Sequence, residues 1–408
     1  MLRRFSLAFT LCAVMACEAE LPATAPPPDA DPAYLAVGGV FSPDGLTGYA
    51  AVIDEVAPNT QVDLDAALAL ASGATIAVPE GAEGVFYIGL ADSPVIQRYE
   101  LGDDNVPVVA GELSLAGLGL QAANGGRNPI QLFSETEAYL VDGSSLQVIG
   151  FDPTAMILQG DPISIGDLAE PELGLGVNFI HRDGTRLILS TRYFRDDGSA
   201  EILGKVAIID TATGDVIVDS ETQCANLATS VEDASGNLYF ASHSSQAARY
   251  SGGFAGEPAG EPCMVRMLQG ADGFDDDFYV SLETLTGRPA GFAIQGSGDT
   301  AYLLTFDEAA NPVTKDNVDR FTSRGVWEYY QVELGDAPVA TAVPGVGTTA
   351  AYGLAFRTEV GADRVATPYV AAVAADLASS TFYDVSDPQD FVEAMTVPGF
   401  GFGVFRVR

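Results

Sequence analysis

One short pattern recurs along the chain: an apolar run entered from a turn rich in Gly, Asp and Ser. The runs are TGYAAVI (47–53), VFYIGL (85–90), AYLVD (138–142) and RLILST (186–191), then NLYFASH (237–243), TAYLLTF (300–306) and ATPYVAA (366–372). The turns ahead of them read SPDGLTG, PEGAEG, SETE, HRDGT, EDASG, GSGDT and EVGAD. Such turns supply the positive-φ positions and side-chain caps of tight hairpins. The copies stand roughly 40 to 65 residues apart, the spacing of propeller blades and longer than most solenoid repeats.

Further apolar runs precede most copies, at 74–78, 129–133, 177–180, 291–294 and 352–356. More polar runs follow, at 96–101, 147–151, 205–209, 328–332 and 380–385, and a variable fourth segment completes several units. Four short strands per repeat, without a helical period, predict an all-β fold: a single β-propeller of seven four-stranded blades over residues 33–408. Two stacked β-sandwiches would have no reason to repeat one turn signature seven times. The runs at 34–41 and 403–407 predict one blade built from both termini, which would remove unpaired edges.

The chain has 408 residues, with 56 Asp+Glu against 19 Lys+Arg and a formal net charge of −37. With 47% hydrophobic residues, 44 Gly and 23 Pro, it is a folded, turn-rich chain and not a disordered acidic one. The charge excludes a nucleic-acid partner and a polybasic membrane contact, since nothing could neutralise a run of phosphates. Two His and four Cys leave little for a multi-histidine metal site.

At the N-terminus, Arg3 and Arg4 precede an apolar stretch ending in Val14-Met15-Ala16-Cys17. The length suits a signal-peptide core and is too short to span a bilayer. The ending resembles a bacterial lipobox, which predicts a signal peptide over 1–16 and lipidation of Cys17; an ordinary secretory signal is the alternative. Residues 17–32 (CEAELPATAPPPDADP) then read as a Pro-rich tether. The expected location is the outer membrane, with membrane contact only through the lipid. Cys12 would leave with the signal, so Cys224 and Cys263 are the pair expected to form a disulfide.

In a propeller the turns between first and second strands share one face. The loops after the second strand and the blade-to-blade connections share the other, called the loop face below. The scarce cations fall mostly there: Arg127 and Arg288 in connections, then Arg192, Arg195, His243, Arg249, Lys315, Arg320 and Arg324 in loops. Long loops are expected at 192–204, 242–263 and 307–326. The candidate ligand-binding set is Arg127, Arg192, Tyr193, His243, Arg249, Arg288, Arg324 and Trp327, with Tyr250 and Phe321 nearby. The competing reading pairs these arginines with Asp196, Asp197, Asp316 and Asp319 as loop braces. The opposite face takes His181, Arg182, Arg357 and Arg364.

No catalytic constellation is apparent. His181 and His243 have no nucleophile elbow beside them, and the serines around His243 read as ordinary loop residues. Asp275-Asp276-Asp277 lacks calcium-loop spacing and reads as a solvated turn. No phosphate-binding glycine loop or cofactor signature is present; Gly38-Gly39 and Gly125-Gly126 read as turn glycines.

Residues 278–308 (FYVSLETLTGRPAGFAIQGSGDTAYLLTFDE) and 326–334 (VWEYYQVEL), with the lipobox, resemble the MxcI-type propeller lipoproteins associated with siderophore uptake. The resemblance implies an outer-membrane lipoprotein that binds a ferric siderophore or delivers it to a TonB-dependent receptor. It supplies no residue-level motif for the ligand. Arginines with aromatic neighbours suit an anionic ferric catecholate, although so acidic a body repels anions beyond a Debye length of about 8 Å. A neutral hydroxamate would be repelled less. A protein-interaction scaffold without a small ligand, and a lactonase-like propeller enzyme, are the rival readings.

Overall fold

The computed structural model describes residues 31–42, 45–79, 81–123, 128–256, 259–351, 369–388 and 390–408. The expected signal peptide, Cys17, Gly125-Gly126, the strand at 352–356, Arg127, Arg357 and Arg364 lie outside the described residues. Residues Pro32–Arg408 form one compact unit of seven antiparallel sheets arranged as a β-propeller.

Alternation along the strands explains how the blades stack. In the fourth blade, Leu187 and Leu189 face the third blade and pack with Val141, Val148 and Leu168. Ile188, between them, faces the fifth blade and packs with Leu227, Leu238 and Phe240. Val206 and Ile208 on the next strand repeat the split against Ala207 and Ile209. A strand with both faces covered becomes a near-continuous apolar run. Leu238–Ser242 is accordingly buried throughout, whereas the outer strand Pro107–Ser114 is mostly exposed.

Six of the recurrent runs fall on the second strand of their blade. In the fourth blade, for example, Gly174–Asp183 is innermost, Arg186–Phe194 second, Ala200–Asp210 third and Val216–Glu221 outermost. In the seventh, three strands are described: Tyr369–Val373, Ser379–Asp384 and Val392–Pro398. The Tyr302 hydroxyl donates to the carbonyl of Val385, just past Ser379–Asp384. Tyr87 donates in the same way to Pro153, just past the third strand Gln147–Asp152. That equivalence makes Ser379–Asp384 a third strand and Tyr369–Val373 a second.

The closing blade is built from both termini, as expected, but its frame is shifted by one strand. Its order is Phe400–Arg406, Tyr34–Ser42, Gly45–Ile53, Leu68–Leu70, so the C-terminal strand is innermost. The first copy, 47–53, therefore lies on a third strand, and its turn at 42–45 joins second to third. That turn belongs to the loop face, so the seven turn signatures do not all share the opposite face; the last of them, 359–363, lies outside the described residues. Gly38 and Gly39 are strand residues, not turn glycines. A Cβ at Gly38 would meet the Tyr49 ring and the Phe400 carbonyl well inside contact distance, beside a register shift at Val37/Gly38.

The loop at 192–204 is also shorter than expected, because the strands run on to Phe194 and resume at Ala200. The loop at 242–263 holds the helix Ser244–Ser251, and the loop at 307–326 holds a 3-10 turn, Val318–Ser323. Among the described residues no helix is long and apolar enough to cross a membrane.

Candidate functional site

The loop face sorts the candidate residues into three groups. Tyr193 and Trp327 belong to the core, each 0% exposed. The Tyr193 hydroxyl donates to the Leu168 carbonyl at 2.5 Å, and burial pushes it up to about 12. Trp327 Nε1 donates to the Phe321 carbonyl, inside an aromatic cluster with Phe306 and Phe321. Their position on strands, with alternating side chains, put them between blades and left them no ligand-facing surface.

A second group is paired with acids. Arg249 meets Asp319 at 2.7 Å, joining the helix Ser244–Ser251 to the neighbouring 3-10 turn. Arg288 meets Glu328 at 2.7 Å, and Arg195 takes both oxygens of Glu201 at 2.8 and 2.9 Å. For these arginines the brace reading holds, with Asp319 as the one partner named correctly in advance. Exposed pairs of this kind contribute roughly 0–1 kcal/mol each, so their role is to place the loops.

Arg192 and Arg324 form the third group: neither has a carboxylate partner among the described residues. Arg324 lies half-buried with Cζ 5.2 Å from the Phe321 ring centroid. Arg192 is more constrained. It stands on the second strand of the fourth blade, in register with Gly176 on the innermost strand. A Cβ at Gly176 would sit 3.1 Å from Arg192 Nε and 3.3 Å from its Cγ. The side chain therefore lies across the innermost strand at Gly176, one of its two glycines.

From there Nη1 donates to Asn226 Oδ1 at 3.1 Å, just before the fifth blade's innermost strand, while Nε is enclosed without an acceptor among the described residues. Burial alone holds the guanidinium at about 10, below its ordinary 12.5. A desolvated cation without a counter-charge is costly, and such groups concentrate where a protein binds or reacts.

A polar arc continues from Arg192. Asn226, itself in a left-handed conformation (φ 56°), donates from Nδ2 to Ser245 Oγ at 3.4 Å. Ser245 stands 2.9 Å from His243 Nδ1, which accepts the Ser245 backbone N–H at 3.0 Å and so caps the helix Ser244–Ser251. That bond makes Nδ1 an acceptor. The His243 ring then meets Phe292 edge-on at 5.6 Å. Phe292 holds φ 65° in an innermost strand, a conformation uncommon for an aromatic residue and of the kind found at ligand sites.

Asn226 and Ser245 were not foreseen from sequence. A lone Asn after Cys-Ala carries no pattern of its own, and Ser245 is one of several serines. The Cys224–Cys263 disulfide, as expected, stands two residues from Asn226. Ser242, next to His243, donates to the Ala225 carbonyl at 2.6 Å. The two ends of the arc are thus tied to one covalent link.

On the other side of the same innermost strand, Leu175 and Val177 border an open groove of about 420 Å³ with Gln121, Ala122, Asp142, Gly143 and Ser144. The Asp142 carboxylate is taken up by Ser144 and Ser145. On the opposite face, His181 Nε2 stands 2.6 Å from Ser230 Oγ, and Arg182 lies over Phe133. Asp275 is bound by Arg266 at 2.6 and 2.9 Å, so the acidic run contributes a structural pair. Among the described residues, no three His, Cys, Asp or Glu side chains gather as a metal site.

No family profile matches the chain, and no curated protein resembles it in sequence. Solved structures share the fold. A protein from Lactobacillus plantarum superposes with a TM-score of 0.53 at 11% identity, over 92% of this chain and 100% of that one. The periplasmic gluconolactonase PpgL from Pseudomonas aeruginosa superposes at 0.50 with 9% identity, over 92% and 99%. Identities this low establish the propeller and nothing of the chemistry.

Proposed function

We propose that the protein is an exported propeller, anchored in the cell envelope through Cys17, that captures a small ligand on its loop face and passes it to an outer-membrane receptor. A ferric siderophore is the ligand class favoured by the sequence resemblance. The observation that carries the proposal is Arg192. In a chain with 56 acids and 19 bases, this cation is recessed at the inner end of two blades with no carboxylate beside it among the described residues. A brace would have an acid; a ligand site keeps its charge for the ligand.

Calorimetric titration of residues 31–408 with ferric catecholate and ferric hydroxamate siderophores tests the reading. Micromolar or tighter binding of at least one of the two is expected, with a loss of at least tenfold in a variant carrying Arg192→Ala and Arg324→Ala that keeps its circular dichroism. No heat from either siderophore would overturn it in favour of a protein-docking scaffold. Turnover of a sugar lactone without siderophore binding would overturn it in favour of an enzyme.

A further inference from the structure

Arg192 also restricts which ligand the loop face can seat, an inference that rests on the capture reading above. The guanidinium has one hydrogen bond among the described residues, to Asn226 Oδ1. Its Nε is enclosed, so a ligand's oxygens would meet the Nη groups. Around it stand neutral or apolar groups: the Asn226 amide, the Ser245 hydroxyl beyond it, and the Phe194 ring with its centroid 5.2 Å from Cζ. No other cation touches Arg192 among the described residues. The site therefore offers one full positive charge and neutral hydrogen-bonding partners.

A dianion such as phosphate would bring a second charge with nothing to balance it, into a body whose formal net charge is −37. One carboxylate matches both the charge and the planar geometry of a guanidinium. The Phe194 ring suits an apolar or aromatic group attached to it. We infer that the loop-face site takes ligands bearing a single carboxylate, seated on Arg192 between the inner ends of the fourth and fifth blades.

Sodium benzoate is the probe. Thermal unfolding of residues 31–408 is followed with benzoate, inorganic phosphate and chloride at matched ionic strength, in wild type and in Arg192→Met. Benzoate at tens of millimolar should raise the wild-type Tm by several degrees, with phosphate no better than chloride. Arg192→Met removes an unpaired desolvated charge while keeping a side chain of similar length. Its Tm without ligand should equal or exceed wild type, and benzoate should no longer shift it. If that variant does not fold, Arg192→Lys carries the test: it keeps the charge, loses the planar fork, and should need at least tenfold more benzoate for the same shift.

A benzoate shift that survives in the variant, a phosphate shift as large as that of benzoate, or no benzoate shift in wild type would each overturn the inference. The two proposals fail separately. Siderophore heat that persists in Arg192→Met would overturn the carboxylate seat and leave capture standing. A benzoate shift without siderophore heat would do the reverse.

Discussion

Gly176 shows how much of this site depends on one missing side chain. A methyl group there would stand 3.1 Å from Arg192 Nε and 3.3 Å from Cγ, closer than nine in ten real Cβ contacts. The arginine would have to give by a few tenths of an ångström, which stretches its bond to Asn226. Gly176→Ala should therefore weaken ligand binding by about tenfold, or roughly 1.4 kcal/mol, with little change in Tm. Parallel calorimetry and melting would check it; a stability loss without an affinity loss would mean that the glycine serves packing alone. Arg192, Arg324 and His243 were legible in sequence because cations and imidazoles are scarce here. For Arg249 and Arg288 the brace was not legible, because the deciding acids, Asp319 and Glu328, lie 70 and 40 residues away; Arg195 meets Glu201 within its own hairpin.

At the level of elements, the innermost strands of the fourth, fifth and sixth blades each lose register, at Val177/Ile180, Leu227/Thr229 and Gly291/Ile294. Such irregularities turn a strand and re-aim its side chains, and they are common beside binding sites. Here they adjoin the residues of the arc. The disulfide acts on the same elements, since it fixes the connection carrying Asn226 against the strand Cys263–Met267. Replacing both cysteines with Ala should lower stability by about 2–4 kcal/mol, because the closed loop restricts the unfolded chain. It should also weaken ligand binding by more than a distant change of equal stability cost. Denaturant unfolding beside calorimetry separates the two effects; equal losses would show that the link acts on stability alone.

For the whole ring, closure depends on the ladder between Tyr34–Ser42 and the C-terminal strand Phe400–Arg406, running from Tyr34↔Arg406 to Gly39↔Phe400. The propeller also stores a pH dependence. Burial raises Tyr49, Tyr302 and Tyr329 above the ordinary 10, and Tyr193 to about 12. A phenol whose folded pKa lies above its unfolded value contributes stability that is whole below about pH 10 and is lost as pH rises through the folded value. Urea midpoints should hold steady up to about pH 10 and fall steeply beyond it, as tyrosinate absorbance near 295 nm rises. Tyrosinate formation that precedes any loss of stability would show that these hydroxyls are open to solvent.

The chain's own pattern determined the blades: period-two apolar runs, hairpin turns and a spacing near fifty residues are local and repeat, so the sheet count followed from them, while the cysteine pair followed from reading Cys12 and Cys17 as signal and anchor positions. The tertiary structure decided the frame at the closure point. The hairpin at 34–53 looks like any other, yet an inner strand arriving from the far end of the chain moved it outward by one place. It also decided the site. Whether an arginine meets a carboxylate or only an amide depends on which side chains folding brings within hydrogen-bond reach. In this ring that is set by a glycine on one inner strand and an asparagine at the head of the next.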